Sequence, residues 1–193
     1  MNLKIGVISY YSAMKDSFEH LAEQENCELI FKVGVVDLAI DVAVDLEQKE
    51  KVDAIIATSK TANMIKQYVN VPVIPLHLKD YHLIDAFYKA KASGERLAFS
   101  DIKKGNVIYD ISKIKEILGY DIAEYYFDEI SQTTETINKI LSDKRTVIIT
   151  TASCMIRKAE KIGLNTVLIT HRYQDFIEAI HNAKILSLSK IMK

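Results

Sequence analysis

The stretch Val52–Ala86, VDAIIATSKTANMIKQYVNVPVIPLHLKDYHLIDA, decides the fold. It begins with a short apolar run, Asp53–Ala57, which passes into the polar turn Thr58-Ser59-Lys60-Thr61 and then into a helical pattern. A second apolar run, Val71–Pro75, empties into another polar turn, His77–Tyr81. Continuous apolar runs of this length fit strands buried on both faces. Strands that each deliver a polar turn onto a helix start make a parallel α/β sheet. Such sheets bind ligands beyond the carboxyl ends of their strands, where these turns collect. The stretch therefore reads as half of a binding site.

Outward from it the chain keeps alternating. Leu3–Ser9 is a first strand, and Ser12 can cap a helix whose inner side is Met14, Phe18, Leu21 and Ala22. Cys27–Val33 is a second strand, followed by a helix from Val35 to about Glu50. On that helix Asp37, Asp41 and Asp45 stand in line at i, i+4 spacing. No His or Cys joins the row, so it reads as a solvated face rather than a metal site. A long helix from about Asp80 to Ala92 closes the first set.

A second set begins with a strand at Glu95–Ser100, a Lys-Lys-Gly-Asn turn and a weak β segment at Val107–Tyr109. A short helix, Ile111–Leu118, ends at Gly119. Ala123–Phe127 is a strand, Asp128 an N-cap, and Ile130, Ile137, Ile140 and Leu141 the inner side of the next helix. Thr146–Thr150 is a strand, the helix Ala152–Lys161 closes at Gly163, and Thr166–Thr170 is the last strand. A final amphipathic helix carries Phe176, Ile177, Ile180, Ala183 and Leu186. Matching strands lie about 93–95 residues apart. Four βα units followed by four more predict a duplicated α/β architecture: two small parallel sheets with helices on both faces, Rossmann-like in kind.

Composition narrows the function. In 193 residues, 49% are hydrophobic and 26% charged, and no apolar run approaches the roughly 20 residues of a spanning helix. The start, MNLKIGVISYYS, lacks the layout of a signal peptide, and two cysteines, Cys27 and Cys154, imply no disulfide framework. A cytoplasmic protein without membrane contact is expected. A formal net charge of −1 with mixed signs argues against direct nucleic-acid binding. With six glycines, and neither Gly-x-Gly-x-x-Gly nor a Gly-x-x-x-x-Gly-Lys-Ser/Thr loop, no nucleotide and no other cofactor is expected. Loops of Ser, Thr, Lys, Tyr and His suit a small carboxylate instead.

Strand ends supply the candidate ligand residues. From the first lobe come Ser9, Tyr10, Tyr11, Ser59, Lys60, Thr61 and Lys79; from the second, Ser100, Thr150, Thr151, Ala152, His171 and Arg172. Backbone amides at the helix starts after Ser12 and Ser59 can hold an anionic group, and Arg172 can grip a carboxylate with two donors. Each has a plainer alternative. Lys60, Lys79 and Arg172 also read as solvated charges, the Ser and Thr residues as helix caps, and Tyr10 and Tyr11 as packing at a domain joint. His77 and His82 lack partners at metal-ligand spacing. An enzyme is the competing class: Cys154 opens the helix after the seventh strand, where a helix dipole favours its thiolate. A two-cysteine racemase needs a second thiol across the site, and Cys27 opens a strand at the wrong end of its sheet. No Ser-His-Asp set or carboxylate pair can be assembled. Binding without catalysis is the expectation.

KIGVISYYS, ATSKTANMIKQYVNVPVIPL, KDYHLIDAFYKAKASGERLAFSD, TVIITTAS and AEKIGLNTVLIT, in that order, resemble the N-terminal sensor domain of PrpR-type propionate-catabolism activators, which are sigma-54-dependent regulators. The resemblance runs from about Leu3 to Leu186. It implies a chelatase-like pair of lobes with an interlobe ligand cleft, and exchange of the helix after the fourth strand and the final helix between lobes. With it the domains divide as 1–90 completed by 173–193, and 91–172. It also implies a 2-methylcitrate-like acid as ligand, a homo-oligomer, and attached ATPase and DNA-binding domains, neither of which lies in this stretch. The turn Thr58-Ser59-Lys60 departs from the glycine-containing turn usual there, which leaves the choice of acid open. Whether these residues are a sensor portion, with Ser187–Lys193 starting a linker helix, or a domain that stands alone is also left open.

Overall fold

A computed structural model describes residues 3–9, 13–34, 38–94, 96–103 and 109–191. The elements, in order, are β1 (Leu3–Ser9), α1 (Ala13–Gln24), β2 (Cys27–Val33), α2 (Ala39–Gln48), β3 (Ala54–Thr58), α3 (Ser59–Ile65), β4 (Val73–Leu76) and α4 (Asp80–Ser93). Then follow β5 (Arg96–Ile102), α5 (Ser112–Leu118), β6 (Asp121–Phe127), α6 (Thr133–Ser142), β7 (Val147–Thr150), α7 (Ser153–Glu160), β8 (Asn165–Leu168) and α8 (Tyr173–Ile191). The strands form two four-stranded sheets, ordered β2-β1-β3-β4 and β6-β5-β7-β8, and every pairing is parallel.

The apolar runs dictate this layering. Successive strand side chains point to opposite faces, so a strand that is apolar throughout needs cover on both sides. In β3, Ala54 and Ile56 join the cluster of Phe18 and Leu21 from α1 and Phe176, Ala179 and Ile180 from α8. Ile55 and Ala57 join Ala43 and Leu46 of α2 and Ala62 and Ile65 of α3. The second sheet repeats the scheme. Leu97, Phe99, Val147 and Ile149 pack with α4 and α5, and Ala98 and Ile148 with α6 and α7.

The chain falls into two compact units, residues 1–77 with 171–193, and residues 78–170. The boundaries lie at 77/78 and 170/171, where the sequence reading puts them at 90/91 and 172/173. The cause is packing. Leu83, Ala86, Phe87 and Ala90 of α4 are buried against the second sheet, with the Phe87 and Phe99 rings 6.0 Å apart. Phe176, Ala179, Ile180 and Ala183 of α8 are buried against the first, with Phe176 4.6 Å from Phe18. Each set of four βα units thus sends its last helix to the other sheet.

Local departures from the sequence reading have local causes. Glu129, not Asp128, caps a single 3-10 turn at Ile130–Gln132, and the Gln132 side chain accepts the Asp128 and Glu129 amides. Leu141 and Leu186, expected inside, are exposed. Tyr109 lies in no strand, and Val107 and Ile108 are outside the described residues, as are Ser12 and Asp37. Asp41 and Asp45 are exposed, and Asp45 pairs with Lys49 at 2.9 Å. Gly119, at φ +62°, closes α5 in the left-handed region that glycine tolerates. Among the described residues no helix is long and apolar enough to cross a membrane.

A cation fastens α8 to the first unit. Lys184 Nζ donates to the Glu25 carbonyl and to Glu25 Oε2, both at 2.6 Å, and His181 Nε2 lies 3.0 Å from the same carboxylate. The Lys184 hydrogen bond, then that of His181, hold the Glu25 carboxyl below its usual range.

Two outcomes follow from this packing. Phe87→Ala and Phe176→Ala, on opposite units, each lower stability in urea unfolding by roughly 3–5 kcal/mol; a loss below about 1 kcal/mol at either site contradicts that helix's role. Lys184→Met costs at most about 1 kcal/mol at pH 7, since the pair is partly solvated. A carboxylate with a depressed folded value stabilises above its unfolded value and stops doing so as pH falls through the folded one. Wild type and Lys184→Met therefore converge in stability at acid pH, and a constant difference from pH 7 to acid contradicts the ion pair.

Candidate functional site

Parallel strands bring their carboxyl ends to one edge, and that is where the buried polar side chains gather. In the first unit these are Ser9, Ser59, Lys60 and Thr61; in the second, Ser100, Asp101, Thr150 and Thr151, each no more than 9% exposed. Burying polar groups is unfavourable unless they are hydrogen-bonded, so their concentration at one edge of each sheet calls for an explanation in hydrogen bonds.

In the first unit, α3 starts directly after β3, and its first turn carries Ser59, Lys60 and Thr61. Capping does not explain these residues. Thr58 is the N-cap but makes no side-chain capping bond, its Oγ1 donating instead to Thr61 Oγ1 at 3.2 Å. Ser59 Oγ lies 2.9 Å from the Leu76 carbonyl and 2.9 Å from His77 Nδ1, and His171 Nε2 lies 3.2 Å from the same carbonyl. A carbonyl only accepts, so Ser59 and His171 both donate to it. With its single proton committed, Ser59 receives the Nδ1–H of His77.

In the second unit the edge is built around a carboxylate. Asp101 is 1% exposed; its Oδ1 accepts Thr151 Oγ1–H at 2.5 Å and the Ile102 amide at 2.8 Å. Leu97 and Phe99 face α4 and α5, so strand alternation puts Asp101 on that face and Ser100 on the face of α6 and α7. Thr150 Oγ1 accepts the Ala152 amide at 2.9 Å. Ser100 pairs with Thr150 in register, fully buried, its Oγ without a hydrogen-bond partner among the described residues. Tyr109 and Tyr126 feel the Asp101 charge. Burial first and then Asp101 push the Tyr109 phenol far above its usual range. Burial, the hydrogen bond to Glu124 and the nearby carboxylates do the same for Tyr126. Both stay protonated at any physiological pH, and Tyr126 donates to Glu124 Oε2 at 2.7 Å.

The two edges are related by the duplication but differ in charge. Ile5 pairs with Ala54 as Leu97 pairs with Val147. Four residues further on, Ser9 and Thr58 stand where Asp101 and Thr151 stand in the second unit. One edge thus carries the buried ammonium of Lys60 and the other the buried carboxylate of Asp101.

The structure redistributes the residues proposed from sequence. Ser9, Ser59, Lys60 and Thr61 lie together on the first unit's edge, and Ser100, Thr150, Thr151 and Ala152 on the second's. Lys79, assigned to the first lobe, belongs to the second unit, exposed at the N-cap of α4. His171 and Arg172, assigned to the second lobe, belong to the first unit. The exchange of α4 and α8 causes both reassignments, since each residue travels with the helix it precedes. Arg172 is exposed, and its amide donates to Asp175 Oδ2 at 2.7 Å. Tyr10 and Tyr11 lie outside the described residues. Asp101 and His77 join the constellation without having been singled out as ligand residues. Asp101 was hidden because β5 runs two residues beyond Ser100. His82 is buried and accepts the Lys79 amide at 2.8 Å, a capping role.

The thiols have separate surroundings. Cys27 sits at the amino end of β2, away from the polar edge, and burial pushes its thiol up. Cys154 is half-buried in the first turn of α7 in the other unit, with Thr133 Oγ1 4.0 Å from its sulfur.

Thr151→Val removes the hydroxyl donor from a buried carboxylate while preserving shape. It lowers stability by about 1–3 kcal/mol in urea unfolding, and Asp101→Asn in the same background recovers part of that loss by removing the charge. Equal stability of Thr151→Val and wild type contradicts a stabilising Thr151–Asp101 hydrogen bond.

Comparison with known proteins agrees with this architecture. The chain is 28% identical to an NtrC family transcriptional regulator from Clostridium acetobutylicum, with a TM-score of 0.82 over 98% of this chain and 99% of that one. The transcription regulator CcpA of Lactococcus lactis shares the fold at 12% identity, with a TM-score of 0.58 over 98% of this chain and 92% of that one. A LacI family regulator from Arthrobacter sp. FB24, in complex with lactose, shares it at 14% identity and a TM-score of 0.50, over 85% and 74% of the two chains. No curated protein matches the chain. The family model described as propionate catabolism activator, PrpR_N, matches residues 23–190. The chain belongs to the propionate catabolism activator family.

Proposed function

We propose that this chain is the effector-sensing domain of a transcription regulator of the NtrC type, and that it binds a small organic acid at the carboxyl edges of its two sheets. The observation that carries the reading is the concentration of buried polar groups at those edges: Ser9, Ser59, Lys60 and Thr61 on one, Ser100, Asp101, Thr150 and Thr151 on the other. Lys60 supplies a cation for a ligand carboxylate in surroundings of low dielectric, where such a pair gains more than in water. His171 and Arg172, at the start of α8, add donors on the same unit.

A sensor needs a ligand that favours one of two states, since equal affinity for both shifts nothing. A ligand engaging both edges would favour one disposition of the two units, and hinge motion would pass that preference to attached ATPase and DNA-binding domains. A sigma-54-dependent regulator working as a homo-oligomer in the cytoplasm fits this scheme, with 2-methylcitrate or a related carboxylate as effector. The sensor performs no chemistry in this reading.

Calorimetric titration with 2-methylcitrate, citrate, propionate, glutamate and aspartate tests it. One of these acids gives a saturable signal, weakened about tenfold or more in Lys60→Ala, as expected for loss of a charged hydrogen bond. Silence for all five, or turnover of glutamate or aspartate abolished by Cys154→Ser, overturns it.

A further inference from the structure

The chain leaves the first unit after His77 and returns at His171. Both connections are short between fixed points. On the way out, Leu76 is held by its pairing with Thr58, and the Lys79 amide is held by His82 Nδ1 at 2.8 Å, leaving only His77 and Leu78 between. On the way back, the Ile169 amide donates to the Thr150 carbonyl at 2.9 Å and the Arg172 amide to Asp175 Oδ2, leaving only Thr170 and His171 between. Each two-residue link therefore carries one histidine, first in the outgoing link and second in the returning one.

Both histidines converge on one corner of the first unit. The chain of bonds runs from His77 Nδ1–H to Ser59 Oγ, from Ser59 Oγ–H to the Leu76 carbonyl, and from His171 Nε2–H to that same carbonyl. Two donors fill the two lone pairs of Leu76; the Ser59 bond is buried, the two histidine bonds are part-buried, and His77 is exposed. We propose that the Leu76 carbonyl, with Ser59, His77 and His171, is a latch that couples the two connections, so that they loosen and tighten together. In each bond the imidazole is a donor, so neutral and protonated histidines both keep the latch closed. Its consequence for sensing rests on the function proposed above. Ser59 belongs to the candidate ligand edge, and a ligand that competes for its hydroxyl is felt at both links at once. The latch itself needs no ligand.

Amide hydrogen exchange on the whole chain tests it without any added molecule. His171→Phe is expected to speed exchange at His77–Lys79 about five- to tenfold, although these residues precede it by over ninety positions, as for the loss of one hydrogen bond. Ser59→Ala is expected to speed exchange at His171–Tyr173 by a similar factor. His171→Gln, which can place an amide donor where Nε2 stands, restores the wild-type rates. Ser187→Ala removes a different α8 contact, the 3.1 Å bond to the Asp53 carbonyl, and leaves His77–Lys79 unchanged. The latch is overturned if His171→Phe acts only on 171–175, if His171→Gln fails to restore, or if Ser187→Ala loosens His77–Lys79 as much.

Discussion

A parallel sheet buried on both faces is incomplete without helices on each side, and here neither set of four βα units covers its own sheet. The first set keeps α1, α2 and α3 and gives α4 to the second sheet; the second keeps α5, α6 and α7 and gives α8 to the first. Phe87 and Phe176 are the large side chains by which the exchanged helices anchor. Each unit's core thus depends on the chain having passed through the other. Two connections between units follow from this exchange, where a simple tandem duplication would have one.

The same constraint shapes the chemistry. All strands of a sheet run one way, so the carboxyl ends of β1, β3 and β4, and of β5 and β7, each collect at one edge. The duplication makes these edges related in backbone, and substitution has made them different in charge. Ser9 corresponds to Asp101, and the ammonium of Lys60 stands on one edge only. Low dielectric around both raises what their hydrogen bonds contribute and what a lost partner costs. Membership of the propionate catabolism activator family gives these edges a context in transcription control.

Much of this was legible in the sequence because continuous apolar runs and polar turns have few structural solutions. β1 and β2 were read to the residue, and the alternation of strand and helix gave the duplication. Errors arose where position in the chain does not reveal position in space. Lys79, His171 and Arg172 were assigned by order along the chain, whereas each follows its exchanged helix. Asp101 falls just past the strand read as Glu95–Ser100 and ahead of the Lys-Lys-Gly-Asn turn, and nothing in a single sequence marks a carboxylate as buried. Ser59 and His171 meet at the Leu76 carbonyl, which only the fold brings within hydrogen-bonding distance of both. Leu141 and Leu186 show the converse error, apolar residues at helical spacing that remain in solvent.

The account turns on the sheet edges being where an acid is sensed. Amide chemical-shift mapping of the chain, titrated with di- and tricarboxylates, addresses that claim residue by residue. The account predicts saturable shifts concentrated at Ser9, Thr58–Thr61, Ser100–Ile102 and Thr150–Ala152, with secondary shifts at His77 and His171. Saturable shifts clustered elsewhere, for example around Cys154, Arg157 and Lys161 along α7 and its C-cap, with the strand ends unmoved, would contradict it.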